Sequence, residues 1–330
     1  MGFSTFIFPL LFIPYVSAHG FVHKVWIGTE TFLGNTPNAE PTSSIVRQID
    51  DVDPVKGANN TNLNCGQDAQ FASNITEANP GDPMSFLWTG GDLSIWPHNV
   101  GPMLWYMTSC GDTDCTTFNS SQAEWFKVAQ VGRISGDPDG NWYQGLIRTS
   151  SNMLLAAADW ILDDAAGVPA NMTLPTNILP GAYLIRHEII ALHLATDLGG
   201  AEFYPSCTQI RITGNGNGKP TSDEVVRFPG GYSDTDPGIL VPDVYDDPPP
   251  PYAFPGPPIA AFVGAAPTPT TSAHAPPSTA PATASKICKL KRSSLTAGMS
   301  KRDLTESIRP SGHLTSLMRT LTLAFGGRSH

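Results

Sequence analysis

The sequence predicts an all-β fold, an antiparallel β-sandwich with long surface loops, on three observations. From Phe21 to about Thr213 the chain is written as short apolar runs separated by Gly, Pro, Asn and Asp. No long window repeats its apolar residues with the period of an amphipathic helix. The runs have the length of strands, and short strands with frequent turn signals belong to sandwiches or barrels, of which the sandwich is the expectation here. Binding and catalytic groups of such a scaffold sit on its loops, so the long connections Gly34–Ala69 and Ser135–Ser151 are where they are sought.

The first element precedes the sandwich. Residues 3–16 are almost continuously apolar and lead into Val16-Ser17-Ala18, small residues that fit a signal-peptidase site after Ala18. A membrane span needs about 20 apolar residues, so residues 1–18 are read as a cleaved secretion signal, although no Lys or Arg precedes the run. Cleavage makes His19 the mature N-terminus, where the free α-amine and ring Nδ1 can chelate one metal ion. An internal histidine cannot do that.

The body, residues 19–241, carries expected strands at Met84–Trp88, Met103–Met107, Trp125–Val131, Met153–Ile161, Ala182–Leu194 and Phe203–Ile212. Strand character fades after Gly214. Residues 242–285, with Pro248-Pro249-Pro250-Pro251 and then Pro, Thr, Ala and Ser, read as an extended linker that buries no core. Residues 286–330 contain one cysteine, Cys288, and one aromatic, Phe325, too few for a small disulfide-stapled binding module; they read as a basic disordered tail.

Charge follows the same division. Residues 19–285 hold 10 basic and 27 acidic residues, net −17, and the tail 9 basic and 2 acidic, net +7, giving −10 for the whole chain. An acidic body is a poor surface for nucleic acid. Neither nucleic acid nor membrane is expected as a partner, and a monomer is expected. Five cysteines behind a signal segment point to an oxidising compartment, with two disulfides and one cysteine left over. Sequons at Asn59, Asn74, Asn119 and Asn171 suit a glycosylated extracellular protein.

Of the eight histidines, His274, His313 and His330 lie in linker or tail. His187 and His193 share one face of the strand Ala182–Leu194, but six residues at about 3.3 Å each separate them by roughly 20 Å, and a metal–imidazole bond is near 2 Å. One of them at most belongs to a given site. His98 lies in the turn-rich Trp96-Pro97-His98-Asn99-Val100-Gly101-Pro102, which would present its ring at the rim of a sandwich. Alternation places Glu202 and Tyr204 on one face of their strand and Phe203 on the other.

Together these residues resemble a family. The mature His19-Gly20, His98-x-x-Gly101-Pro102 followed by Tyr106, the run Leu184-Ile185-Arg186-His187-Glu188-Ile189-Ile190-Ala191-Leu192-His193, and Phe203-Tyr204-Pro205-Ser206-Cys207 are similar to the fungal cellulose-active lytic polysaccharide monooxygenases of auxiliary activity family nine. The resemblance extends over roughly residues 19–240, through Phe228-Pro229-Gly230-Gly231-Tyr232 and Asp236-Pro237-Gly238-Ile239. It implies an immunoglobulin-like sandwich with one copper on a flat face, held by the His19 amine, His19 Nδ1 and His98 Nε2, with Tyr204 as distant axial group. Nitrogen donors in a tetragonal arrangement favour Cu(II), and no Cys-rich cluster calls for structural zinc. It further implies that His193 and Glu202 act on oxygen, that Tyr232 is the candidate for stacking on a glucose ring, and that His23 and His187 are structural.

The same resemblance favours Cys65–Cys207 and Cys110–Cys115 among the three pairings open to the four body cysteines. Two departures stand out: Glu202 replaces the commoner Gln, and the small Cys110–Cys115 loop is one residue longer than the family pattern. The implied activity is hydroxylation of C1 or C4 in β-1,4-glucan such as cellulose, with O2 or H2O2 and an external electron donor. The alternative is a non-catalytic extracellular copper-binding or cell-wall protein with the same histidine arrangement.

Overall fold

The computed structural model describes residues 18–148 and 167–265. The expected strand Met153–Ile161, the leader up to residue 17 and the basic tail lie outside the described residues. Within them the strands are β1 (Gly20–Ile27), β2 (Glu30–Leu33), β3 (Thr76–Ala78), β4 (Pro83–Gly90), β5 (Met103–Ser109), β6 (Trp125–Val131), β7 (Ala170–Thr173), β8 (Gly181–Ala191), β9 (Glu202–Ile212) and β10 (Val225–Val226). They form a four-stranded sheet in the order β2-β1-β4-β7 and a six-stranded sheet in the order β10-β6-β5-β8-β9-β3. Every pairing is antiparallel except β3 with β9, which is parallel. The sandwich is as expected, with expected strands recovered at β4, β5, β6, β8 and β9. β8 ends at Ala191, so His193 lies in the turn beyond it rather than within the strand.

The two sheets enclose one apolar core in which Val25, Phe86, Trp88, Trp105, Ile185, Ile189 and Tyr204 meet. A second core lies on the other face of the larger sheet, where Leu104, Tyr106, Leu184, Phe203 and Cys207 pack under loops that bring Val55, Leu63, Phe228 and Tyr232. Cover on both faces explains why nearly every residue of β8 and β9 is buried, with no alternation between buried and exposed positions. The loop between β2 and β3 pairs with the outer edge of β9, Val46 opposite Thr208 and Val55 opposite Phe203, and so closes an edge that would otherwise template aggregation.

Both disulfides implied by the resemblance are present, Cys65–Cys207 and Cys110–Cys115. The first ties that loop to β9 across 142 residues of sequence. A closed loop of that length is worth about 4–5 kcal/mol in chain entropy.

The linker expectation, residues 242–285, is corrected over residues 242–265; residues 266–285 lie outside the described residues. The chain does not leave the sandwich at Pro242. It runs on as an arm along β6, with Ile259 bridged to Lys127 and the amide of Ala260 donating to the Lys127 carbonyl at 2.9 Å. Val244 and Ala260 are buried, and Tyr252, Phe254, Phe262 and Val263 pack on the two cores. The composition suggested a stalk because Pro dominates it, but Pro suits a covering strap whose amides need no ladder partners, and the apolar residues between the prolines supply the contacts.

Candidate metal centre

His19 is held at the end of β1 by the residue after it. A Cβ on Gly20 would collide with the Thr89 carbonyl of β4, so only glycine lets the chain lie this close to the neighbouring strand. The His19 carbonyl accepts from the Gly91 amide at 2.9 Å, and ring Nδ1 lies 2.8 Å from Asp53 Oδ1. His98 enters on the turn before β5. There the Val100 and Pro102 carbonyls accept from Leu192 and Ile190, and Gly101, at φ +131°, packs against the Ile190 carbonyl where a side chain could not. Buried Trp96 meets both the His98 ring, at 5.3 Å, and the Tyr204 ring, at 4.9 Å, edge to face.

These elements converge. His98 Nε2 is 3.0 Å from the Tyr204 hydroxyl, and the His19 ring centroid is 6.4 Å from that of His98 and 6.3 Å from that of Tyr204. The Tyr204 hydroxyl donates to Glu202 Oε2 at 2.9 Å. That same oxygen is 3.6 Å from His98 Nε2 and 3.8 Å from His193 Nε2, and the His98 and His193 rings stack 4.6 Å apart. Lys56 Nζ lies 3.2 Å from the other oxygen, Oε1.

Environment sets the protonation states. His98 is pushed down to about 4, first by burial and then by the neighbouring His193; its ring is neutral at working pH, with a lone pair free for a metal. Burial would raise the Glu202 carboxyl, but the Tyr204 hydrogen bond and Lys56 hold it below the usual value. The Tyr204 hydroxyl is pushed up by burial and then by Glu202, so it stays protonated.

Most of the expected site residues are together, and one is not. His19, His98, His193, Glu202 and Tyr204 share the site. Tyr232 is away from it, only 5% exposed, with its hydroxyl donating to Glu188 Oε2 at 2.7 Å, so its ring has no face to offer a sugar. The assignment of Tyr232 to substrate stacking is therefore corrected: it is a core residue. His187 is fully buried, accepts from Trp88 Nε1 at 3.0 Å through Nδ1, and stacks on Trp105 at 4.5 Å, a structural histidine. The sequence reading missed Asp53 and Lys56, which no local pattern marks, and Tyr245, which is 61% exposed with its hydroxyl on the His193 carbonyl at 3.0 Å. All four sequon asparagines are exposed.

The donor set fits a copper ion. His98, His193 and Glu202 offer ligand atoms within 4.8 Å of one another, His19 adds a ring nitrogen nearby, and no thiol is at hand because the body cysteines are in disulfides. Imidazole nitrogens in such a set suit copper. A β-sandwich that gathers histidines, a glutamate and a tyrosine at one end of its sheets defines a class of protein with the donors to hold a metal there.

Comparison with known proteins places the chain more closely. The model of Auxiliary Activity family 9 (formerly GH61) matches residues 19–252. A lytic polysaccharide monooxygenase D of that family from Gloeophyllum trabeum is 49% identical over 251 residues, covering 76% of this chain and 67% of the relative. Among solved structures, the extended catalytic domain of an H. jecorina lytic polysaccharide monooxygenase aligns with TM-score 0.62 at 28% identity, over 74% of this chain and 91% of that one. A cellulose-active polysaccharide monooxygenase from M. thermophila aligns with TM-score 0.60 at 29% identity, over 73% and 98%. The chain belongs to Auxiliary Activity family 9, the copper-dependent lytic polysaccharide monooxygenases.

Proposed function

We propose that the protein is a secreted monooxygenase that cleaves β-1,4-glucan, cellulose in the first place, by oxidising C1 or C4 with O2 or H2O2 and electrons from an external donor. The observation that carries this reading is the convergence of His19, His98 and Tyr204 at the rim of the sandwich. The family match beginning at His19 supports that residue as the mature terminus. The His19 amine, His19 Nδ1 and His98 Nε2 would hold copper, and the Tyr204 hydroxyl lies 3.0 Å from His98 Nε2. When bound, copper supplies a one-electron centre at which the oxidant is reduced and activated.

The chain's own residues do the rest. Trp96 packs edge to face against both the His98 and the Tyr204 ring and restrains both. Glu202, ionised and aimed by Oε2 toward His98 and His193, holds a proton acceptor beside the place where oxygen must arrive. In place of Tyr232, Tyr245 offers an exposed ring beside His193 for a glucose face. Hydroxylation at C1 or C4 is followed by elimination, which breaks the chain. Glycans at Asn59, Asn74, Asn119 and Asn171 complete the extracellular reading.

Mass spectrometry of the soluble products from cellulose, using copper-loaded protein and a reductant, tests this. Aldonic acids or C4 ketones are expected. Stoichiometric copper binding without oxidised sugars would leave a copper-binding protein of another function.

A further inference from the structure

The segment that carries Asp53 and Lys56 is fastened to the site by its backbone. Val55 exchanges two hydrogen bonds with Phe203, at 2.9 and 3.1 Å, and the Ala58 amide donates to Asp234 Oδ1 at 2.7 Å. Lys56 is thereby held next to the first residues of β9. Its ammonium donates to the Gly200 carbonyl at 3.1 Å and lies 3.2 Å from Glu202 Oε1.

Glu202 has two oxygens with different company. Among the described residues Oε1 meets the Lys56 cation, whereas Oε2 meets the Tyr204 hydroxyl at 2.9 Å and faces His98 and His193 at 3.6 and 3.8 Å. The terminal torsion of a glutamate is soft, so one hydrogen bond from Tyr204 does not fix the plane of the carboxylate. The second contact, from the opposite side, does. The side chain of Glu202 is 7% exposed and that of Lys56 is 44%, so a nearly buried anion has its countercharge at the protein surface.

We propose that Lys56 is a positioning residue of the reaction: by holding Glu202 Oε1 it aims Oε2 into the space bounded by His98, His193 and Tyr204, and the two residues act as one unit. This rests on the proposed monooxygenase reading. The unit is assembled across about a hundred and fifty residues of sequence, and an amide at position 202 would have no comparable claim on the ammonium, because Gln carries no charge to pair.

A double-substitution cycle tests it. The unsubstituted protein, Lys56→Met, Glu202→Gln and the pair are each processed to the His19 terminus and compared at one pH by copper calorimetry, by the Cu(II) spin-resonance spectrum, by turnover per bound copper on cellulose, and, without metal, by the imidazole proton resonances of His98 and His193. Lys56→Met is expected to leave copper affinity within about threefold, to alter the Cu(II) spectrum and the metal-free ring resonances, and to lower turnover about tenfold, less than the roughly 10²–10⁴-fold that an acid–base group contributes as a whole, because Glu202 stays and is only misaimed. Lys56→Arg should restore most of it. In the Glu202→Gln background, Lys56→Met should move none of these readings further. Equal losses in both backgrounds, or no change in the unsubstituted background, would overturn the proposal. Absence of copper binding or of oxidised sugars from the unsubstituted protein would instead overturn the functional reading, and the metal-free resonances would still decide for or against the Lys56–Glu202 unit.

Discussion

Two glutamates of the larger sheet, Glu202 on β9 and Glu188 on β8, each accept from a tyrosine, and their surroundings make them opposites. At one end Glu202 Oε2 accepts from Tyr204 at 2.9 Å; in the second core Glu188 Oε2 accepts from Tyr232 at 2.7 Å. Both hydroxyls are pushed up, by burial and then by the carboxylate. Glu188, however, is also gripped by both terminal nitrogens of Arg186, at 2.6 and 2.9 Å, and Arg186 donates in turn to the Leu63 and Asn64 carbonyls and lies 4.0 Å over the Phe228 ring. Arg186 and Glu188 are wholly buried. Among the described residues Glu202 has contacts from the Lys56 ammonium and the Tyr204 hydroxyl and faces two imidazoles at 3.6 and 3.8 Å, beyond hydrogen-bond distance.

The difference teaches what separates a structural polar cluster from a site. A buried ion pair whose donors and acceptors are all satisfied has no capacity left for a ligand, and its contribution is to fix which loops lie against the sheet. The pair at the rim keeps capacity in reserve. Residue type alone does not distinguish them, since each is a strand Glu accepting from a Tyr hydroxyl.

The sharpest way to break the comparison is to disable one cluster without the other. Retaining Ala18 before His19 converts the terminal amine to an amide; calorimetry should show copper affinity falling by more than about 100-fold, beyond the 10–100-fold typical of residues outside the ligand shell, with oxidised products abolished. The melting of the metal-free protein should not change. In the processed protein copper affinity should itself weaken as pH falls, because copper must displace a proton from an amine of reference pKa near 8, so the difference between the two forms should narrow at lower pH.

Glu188→Gln is the converse. It leaves Arg186 charged and unpaired in the core, which costs about 3–5 kcal/mol, read as a shift of the denaturation midpoint. Copper affinity of the fraction that folds should be unchanged. A copper defect larger than the folding defect would show that the two clusters are not independent.

Truncation after Pro242 should cost less, about 1–3 kcal/mol, because it uncovers one buried charge and part of the second core. Lys127 Nζ, 1% exposed as a residue, would lose the Pro255 carbonyl it donates to at 2.8 Å. Unchanged denaturation of the truncated chain would mean that the arm adds nothing, as its composition first suggested.

The smallest expected effect is on pH dependence. Burial, then the Arg186 charge, holds His187 well below the ordinary histidine value. The unfolded chain therefore takes up a proton as pH falls through about 6.5 while the native protein does not, so stability declines below that pH and is retained above it. Metal-free His98, pushed down to about 4, acts in the same direction. Denaturation at pH 7.5 and 5.0 should show a smaller decline in His187→Gln than in the unsubstituted protein.

What the sequence determined by itself is what short-range chemistry encodes. The apolar leader ending in small residues marks His19; turn residues around His98 place it at a rim; a spacing of two in a strand puts Glu202 and Tyr204 on one face; and the absence of helical periodicity gives the sandwich. What only the tertiary structure decided involves residues far apart in sequence. Whether Tyr232 faces sugar or core depends on how its own loop folds onto the larger sheet, whether the Pro-rich arm hangs free depends on its pairing with β6, and the arrival of Asp53 and Lys56 beside His19 and Glu202 depends on how the loop after β2 crosses the edge of β9. A strand's alternation says which side chains share a face, but a sheet covered on both faces gives each of them a buried neighbourhood, and the identity of that neighbourhood is fixed only when distant segments pack.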